Sequence, residues 1–160
     1  MLSPSPSKLS PLINEWKAQQ TEMRRRLVVQ PLEPLPRFVA GVDAAYSEDK
    51  KTALAVALVY DREAQRVVEI VHATRPVEYP YIPTFLSFRE GPAVLDAIRA
   101  LKHEFGVICF DGQGYAHPRR CGFASHMSIV LDVPGAWALP RAGSSAPLKN
   151  RRPRPVLRPR

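Results

Sequence analysis

The stretch "VICFDGQGYAHPRR", residues 107–120, decides the fold. Val107 to Phe110 read as a short buried strand that stops at a carboxylate, Asp111. Ahead of it, Val94, Ile98, Leu101 and Phe105 recur at helical spacing, which predicts a helix beginning near Ser87. A strand entered directly from a helix tends to lie parallel to its neighbour. Upstream, "FVAGVDAAY" (38–46), "TALAVALVY" (52–60) and "RVVEIVHAT" (66–74) read as strands joined by the short polar connections "SEDKK" and "DREAQ". Such spacing predicts an antiparallel meander. The second of these strands is nearly all apolar, so it is expected to be buried on both faces. The class is therefore α/β: a mixed sheet, with a three-strand meander plus a parallel strand, and flanking helices.

The ends differ in character from this centre. Ser10-Pro11 reads as an N-cap with proline at the first helical position, and Leu12, Trp16, Met23 and Leu27 fall near one face. This predicts a helix over 11–28, followed by a proline-stiffened linker, "QPLEPLPR" (30–37). A third helix is expected over 119–131. After Pro134 the text holds five prolines, seven basic residues and no acid, a composition that predicts a disordered tail. The chain divides into 1–36 (helix and linker), 37–134 (core) and 135–160 (basic tail).

With 160 residues and 45% hydrophobic content, the chain can bury one core. No apolar run reaches the roughly 18 residues of a membrane span, and no signal peptide is read at "MLSPSPSKLSPL". Cys109 and Cys121 have no ligand spacing; they read as reduced thiols of a cytoplasmic protein, against a disulfide framework or a zinc site. The net charge of +8 owes seven units to residues 135–160, which leaves +1 for residues 1–134. The basic pI is mostly a tail property.

Three carboxylates need a reason. On a strand of period two, Val39, Gly41, Asp43 and Ala45 share a face, so Asp43 is either solvent-exposed or a charge that demands a partner. Glu90 completes "SFRE" (87–90), the pattern of a capping box, yet it also lies one helical step before Val94 on the inward stripe. Asp111 is either an ordinary Asp-Gly turn or a ligand at a carboxyl strand end, followed by glycines that let backbone approach a bound group. Elements of these three kinds can converge. Clustered carboxylates hold divalent cations, usually magnesium, and such ions serve phosphodiester cleavage.

The motifs "VAGVDAAY" (39–46), "PYIPTFLSFRE" (80–90), "FDGQGYAHPRRCGFASH" (110–126) and "LDVP" (131–134) resemble those of the endonuclease V family. That family is a group of deaminated-base repair nucleases with a ribonuclease H-like fold. The resemblance runs from about residue 9 to Pro134. It implies that Asp43, Glu90 and Asp111 are catalytic acids binding Mg2+, with Mn2+ as a substitute. It implies a strand-separating wedge of Pro80, Tyr81, Ile82 and Pro83. It places Gly112, Gly114 and His117 at a lesion pocket, and Arg89 and Arg119 among the pocket and phosphate contacts; Arg89 alternatively braces the scaffold. His126 also matches, as a hydrogen-bonded helix residue. The implied reaction is hydrolysis one nucleotide offset on the 3′ side of deoxyinosine, leaving 3′-hydroxyl and 5′-phosphate ends. The implied partner is DNA containing deaminated bases, or inosine-containing RNA, bound by a monomer with no membrane contact.

The resemblance stops after Pro134. The family continues with a fifth strand, a "GVAK" lysine and a further metal-proximal residue, none of which is read here. The sharp switch in text predicts a truncation or frameshift, an uncovered fourth strand, low stability and weak activity. Two other readings stand beside the first: an inactive nucleic-acid binder that uses the basic tail, and another ribonuclease H-like nuclease such as an inosine-specific endoribonuclease.

Overall fold

The structure, a computed structural model, describes residues 6–138 and 156–159. In chain order the elements are α1 (Pro6–Arg25), β1 (Leu27–Gln30), β2 (Phe38–Tyr46), β3 (Thr52–Asp61), β4 (Arg66–Pro76), α2 (Leu86–Ala100), β5 (Val107–Asp111), α3 (Phe123–Leu131), β6 (Gly135–Ala138) and β7 (Val156–Pro159). One mixed sheet holds all the strands in the order β1-β7-β6-β5-β2-β3-β4. The meander β2-β3-β4 is antiparallel, and β5 joins β2 in parallel, from Val39 beside Val107 to Val42 beside Phe110. Both features are those expected from the strand spacing and the helical entry to β5.

The core lies between the sheet and α2 with α3. Ala53, Ala55 and Ala57 on β3 are all at most 1% exposed, and Ala93, Val94 and Ala97 of α2 meet that small-residue floor. Short side chains on both surfaces let the helix sit close. Ile108 and Phe110 extend the floor across β5, where Phe123, Ala124 and Met127 of α3 cover it. α1 closes the helical layer. Its Trp16 is buried, stacks on Phe88 at 4.5 Å and meets Tyr79 edge-on at 4.9 Å. Among the described residues no helix is long and apolar enough to cross a membrane.

Several expectations need correcting. β3 is buried on one face only; Leu54 and Val56 are 38% and 39% exposed, and Ile70 of β4, opposite Leu58, is 64% exposed. An all-apolar run cannot reveal which of its faces is covered. α1 starts at Pro6, before the expected cap, and carries Pro11 inside it. It stops at Arg25, so Leu27–Gln30 becomes a strand paired with β7. α3 starts at Phe123 rather than 119, because residues 114–122 form a hydrogen-bonded turn. The fourth strand of the expected fold, β5, is not uncovered. Gly135–Ala138 pairs with it in parallel, continuing a bond from Ile108 N–H to the Pro134 carbonyl at 3.0 Å. The backbone groups of β5 must find partners whatever side chains the next segment carries, so a segment with tail-like composition can supply them. The remainder of the expected disordered tail, 139–155 and 160, lies outside the described residues.

Candidate active site and base pocket

The parallel register sets up the acids. Val42 and Phe110 form its last pair, and Asp43 and Asp111 each stand one residue further on. Neighbouring strands lie about 4.8 Å apart, so the two exposed acids stand side by side, Asp43 within β2 and Asp111 at the carboxyl end of β5. Glu90 arrives from the N-terminal end of α2. It is not a capping residue. Phe85 occupies the cap position without a side-chain bond, and Ser87 Oγ instead lies 3.0 Å from Nδ1 of His126.

Glu90 is half-buried, and the Tyr46 hydroxyl donates to its Oε1 at 2.8 Å. Burial raises the Glu90 carboxyl pKa above its ordinary value. The Tyr46 bond and the Arg89 charge oppose this, while Asp43 and Asp111 push it further up. The three acids thus share one electrostatic neighbourhood. Tyr46 itself is pushed up to about 12, chiefly by burial and then by its bond to Glu90, so it is a neutral donor at any ordinary pH. Arg89 completes the chain. Its Nε donates to the Tyr46 hydroxyl at 2.9 Å, its guanidinium sits 4.6 Å from the centre of that ring, and its Nη1 donates to the Tyr79 carbonyl at 2.6 Å. Arg89 therefore ties the acid cluster to the residue preceding "PYIP", in keeping with a scaffold contact.

Beside Asp111 opens a cavity of about 260 Å³, lined among others by Tyr81, Thr84, Gly112, Gln113, His117 and Phe123. Tyr81 is 63% exposed at its mouth, where a core aromatic would be covered. The wall behind it is pinned at Thr84. Gln20 Nε2, His117 Nε2 and Arg119 Nη2 all donate to the Thr84 carbonyl, at 3.0, 3.0 and 3.3 Å. Arg119 also bonds the Thr84 hydroxyl and donates from Nε to Gln20 Oε1 at 2.7 Å, with Phe85 beneath its guanidinium at 4.5 Å. Thr84 has φ 74°, a costly conformation for a β-branched residue, which this bonding holds in place. His117 accepts the Arg119 N–H at Nδ1, so its tautomer is set; burial lowers its pKa and keeps it neutral.

The donor set suits a hard divalent cation: three carboxylates, with two of them raising the pKa of the third, a strain that an ion relieves. Among the described residues no three His, Cys, Asp or Glu side chains are drawn together tightly enough to form a finished cage.

The family model described as Endonuclease V matches residues 21–136. The chain belongs to the endonuclease V family. Endonuclease V of Roseiflexus sp. is 42% identical over 120 residues, 75% of this chain and 53% of the relative. The Dictyoglomus turgidum endonuclease V is 43% identical over 115 residues, 72% of this chain and 50% of the relative. The crystal structure of Streptomyces avermitilis endonuclease V superposes with a TM-score of 0.73 at 40% identity, covering 78% of this chain and 55% of that one. Ciona intestinalis endonuclease V, solved with a 24mer DNA containing an inosine followed by a ribo-adenosine, gives 0.71 at 26% identity over 79% of this chain and 58% of that one. This chain spans about half the length of the relatives it matches. The ribonuclease H-like mixed sheet read from the motifs is the fold observed, in common with these endonuclease V structures.

Of the residues singled out in the sequence, the structure gathers Asp43, Glu90 and Asp111 at one end of the sheet, and Tyr81, Gly112 and His117 around the cavity. Gly114 lies behind it; its carbonyl accepts from His117 N–H and Gly122 N–H at 3.4 and 3.1 Å. Arg119 is half-buried, with Nε and Nη2 of its guanidinium bonded to Gln20 and Thr84. Pro80, Ile82 and Pro83 flank Tyr81 in the loop and do not line the cavity. Two residues went unread. Gln20 is fully buried one helical step after Trp16, and that spacing was its signal. Tyr46 closes the "VAGVDAAY" motif, but its hydroxyl's partners lie 43 and 44 residues away, beyond any local pattern.

Proposed function

We propose that this chain carries the acid cluster and base pocket of a deaminated-base endonuclease, acting on DNA that contains deoxyinosine. The observation that carries the reading is the meeting of Glu90 with Asp43 and Asp111 beside a cavity guarded by an exposed aromatic. Asp43, Asp111 and Glu90 would hold a divalent ion, Mg2+ with Mn2+ as a substitute. When bound, the ion supplies Lewis acidity at the phosphodiester. Tyr46 holds Oε1 of Glu90 by its hydroxyl, within the electrostatic reach of Asp43 and Asp111. Tyr81, carried between Pro80 and Pro83, fills the gap that an everted base leaves in its stack. Gly112 lets the backbone approach that base in the cavity, and neutral His117 supports the wall through Thr84. Cleavage is expected one nucleotide offset on the 3′ side, leaving 3′-hydroxyl and 5′-phosphate ends.

The test uses the full chain with inosine-containing and matched inosine-free oligonucleotides, with Mg2+ and with chelator. Metal-dependent nicking confined to the inosine strand is expected, lost in Asp43→Asn and in Asp111→Asn while binding persists. Equal cutting by either variant removes that acid from the mechanism, and equal affinity for both oligonucleotides overturns the pocket assignment.

A further inference from the structure

Beside the turn that carries Arg119, the surface has a second cationic feature. Tyr115 is flanked by two arginines from distant parts of the chain. Arg24, near the end of α1, donates from Nη2 to the Tyr115 hydroxyl at 3.3 Å, with its guanidinium carbon 5.9 Å from the ring centre. Arg120 lies 5.1 Å from the same centre, and its Nη1 reaches the Tyr115 carbonyl at 3.5 Å. Below them, Tyr115 packs with Met23 against Leu27 and Ile129, so the ring is a fixed platform. A cavity of about 320 Å³ opens there, lined by Arg24, Arg25, Leu27 and Tyr115.

The charges at this place are unbalanced. Arg25 pairs with Glu22 at 2.8 Å, but among the described residues no carboxylate pairs with Arg24 or Arg120. Arginines in the last turn of a helix complement its dipole, which accounts for Arg24 and Arg25. It does not account for Arg120. That residue comes from the turn after β5 and is held at φ 56° by its N–H bond to the His117 carbonyl at 2.7 Å. Two like charges on one ring repel each other, and an anion accepting from both turns that repulsion into binding.

We infer that Arg24 and Arg120, mounted on Tyr115, form a seat for a backbone phosphate of the bound polynucleotide, outside the base pocket. Because Arg120 hangs from the carbonyl of His117, the seat is registered to the pocket wall through a single peptide. This inference takes its polymer from the proposed function, but its test does not need inosine.

Affinity for an inosine-free duplex is measured across a salt series for the full chain, for Arg24→Gln/Arg120→Gln, and for Arg66→Gln, an exposed arginine at the start of β4, as the control. Each phosphate contact contributes about 0.9 to the slope of log K against log salt. The double variant should flatten that slope by about 1 to 2 while Arg66→Gln leaves it unchanged. The charge carried by residues 135–160 is common to all three proteins and cancels in the comparison. An unchanged slope in the double variant overturns the seat. So does uptake of inorganic phosphate that the double variant loses without any change of slope, which would assign the site to a free anion. Loss of inosine preference in the parent defeats the pocket reading alone, since the slope comparison stands on undamaged duplex.

Discussion

Gly122 is where the pocket and the start of α3 are pressed together, and adding one methyl group there has a calculable outcome. A Cβ at Gly122 would stand 2.2 Å from the Gln113 carbonyl oxygen, 2.8 Å from its carbon and 2.9 Å from the Gly114 oxygen. Side-chain carbons essentially never come within 3.0 Å of such atoms, so the Gln113 carbonyl must retreat by about 0.8 Å. The atoms in the way are backbone, which cannot swing aside. The Gln113 carbonyl accepts from Ala124 N–H at 3.1 Å, and the Gly114 carbonyl from Gly122 N–H at 3.1 Å. Losing one such bond costs about 1 kcal/mol, and more if a buried N–H is left unpaired. Overpacking adds about 1–3 kcal/mol. Gly122→Ala is therefore expected to destabilise by about 2–4 kcal/mol. At about 2–4 °C per kcal/mol for a chain of this size, the thermal midpoint should fall by roughly 5–15 °C. Gly41→Ala is the matched control: its Cβ would meet nothing nearer than Leu58 Cδ1 at 3.7 Å, an ordinary contact, and a methyl in a strand stabilises by up to about 1 kcal/mol. Both are read by far-ultraviolet circular dichroism on heating. A Gly122→Ala midpoint within about 2 °C of the parent, or a Gly41→Ala loss as large, would refute the steric account.

Tyr46→Phe removes only the hydroxyl that bonds Glu90 and Arg89. It should weaken Mn2+ binding, followed by calorimetry without nucleic acid, by roughly ten- to hundredfold, in line with the loss of about 1.5–3 kcal/mol for a bond to a charged group; unchanged affinity would show that Tyr46 only fills space. His126 is buried and held down to about 4, by desolvation, against an ordinary value near 6.5. The unfolded chain therefore takes up the proton first. Stability is complete above about pH 6.5 and declines as pH falls toward 4, by up to about 3 kcal/mol. Denaturant midpoints at pH 7 and pH 4.5 should converge in His126→Phe relative to the parent, and an equal pH dependence in the two would discount His126.

The meander, the parallel entry of β5 and the acids at its end were legible because each arises from local spacing. Helical periodicity before Val107 was enough to make β5 parallel, and that register alone sets Asp43 beside Asp111. What escaped was decided by contacts remote in the chain. "SFRE" looks like a capping box until His126, 39 residues on, takes Ser87, and Tyr46, 44 residues back, takes Glu90. The arginines of "HPRR" look alike, yet Gln20 draws Arg119 inward and Tyr115 holds Arg120 at the surface. The pairing of Gly135–Ala138 with β5 was hidden because its composition merges with that of the basic tail, while the demand it meets belongs to its neighbour's backbone.

The threefold acceptor at Thr84 has a consequence for motion. Any rearrangement of that peptide would strand three donors at once, so residue 84 behaves as an anchored end. The segment from Tyr79 is held at its other end by Arg89. Freedom is confined to the span between, where Pro80 and Pro83 restrict the backbone. Tyr81 is thus mounted like a tooth on a short clamped bar: force applied at its ring is passed to α1 through Gln20, and to the acids through Arg89, rather than dissipated in the loop.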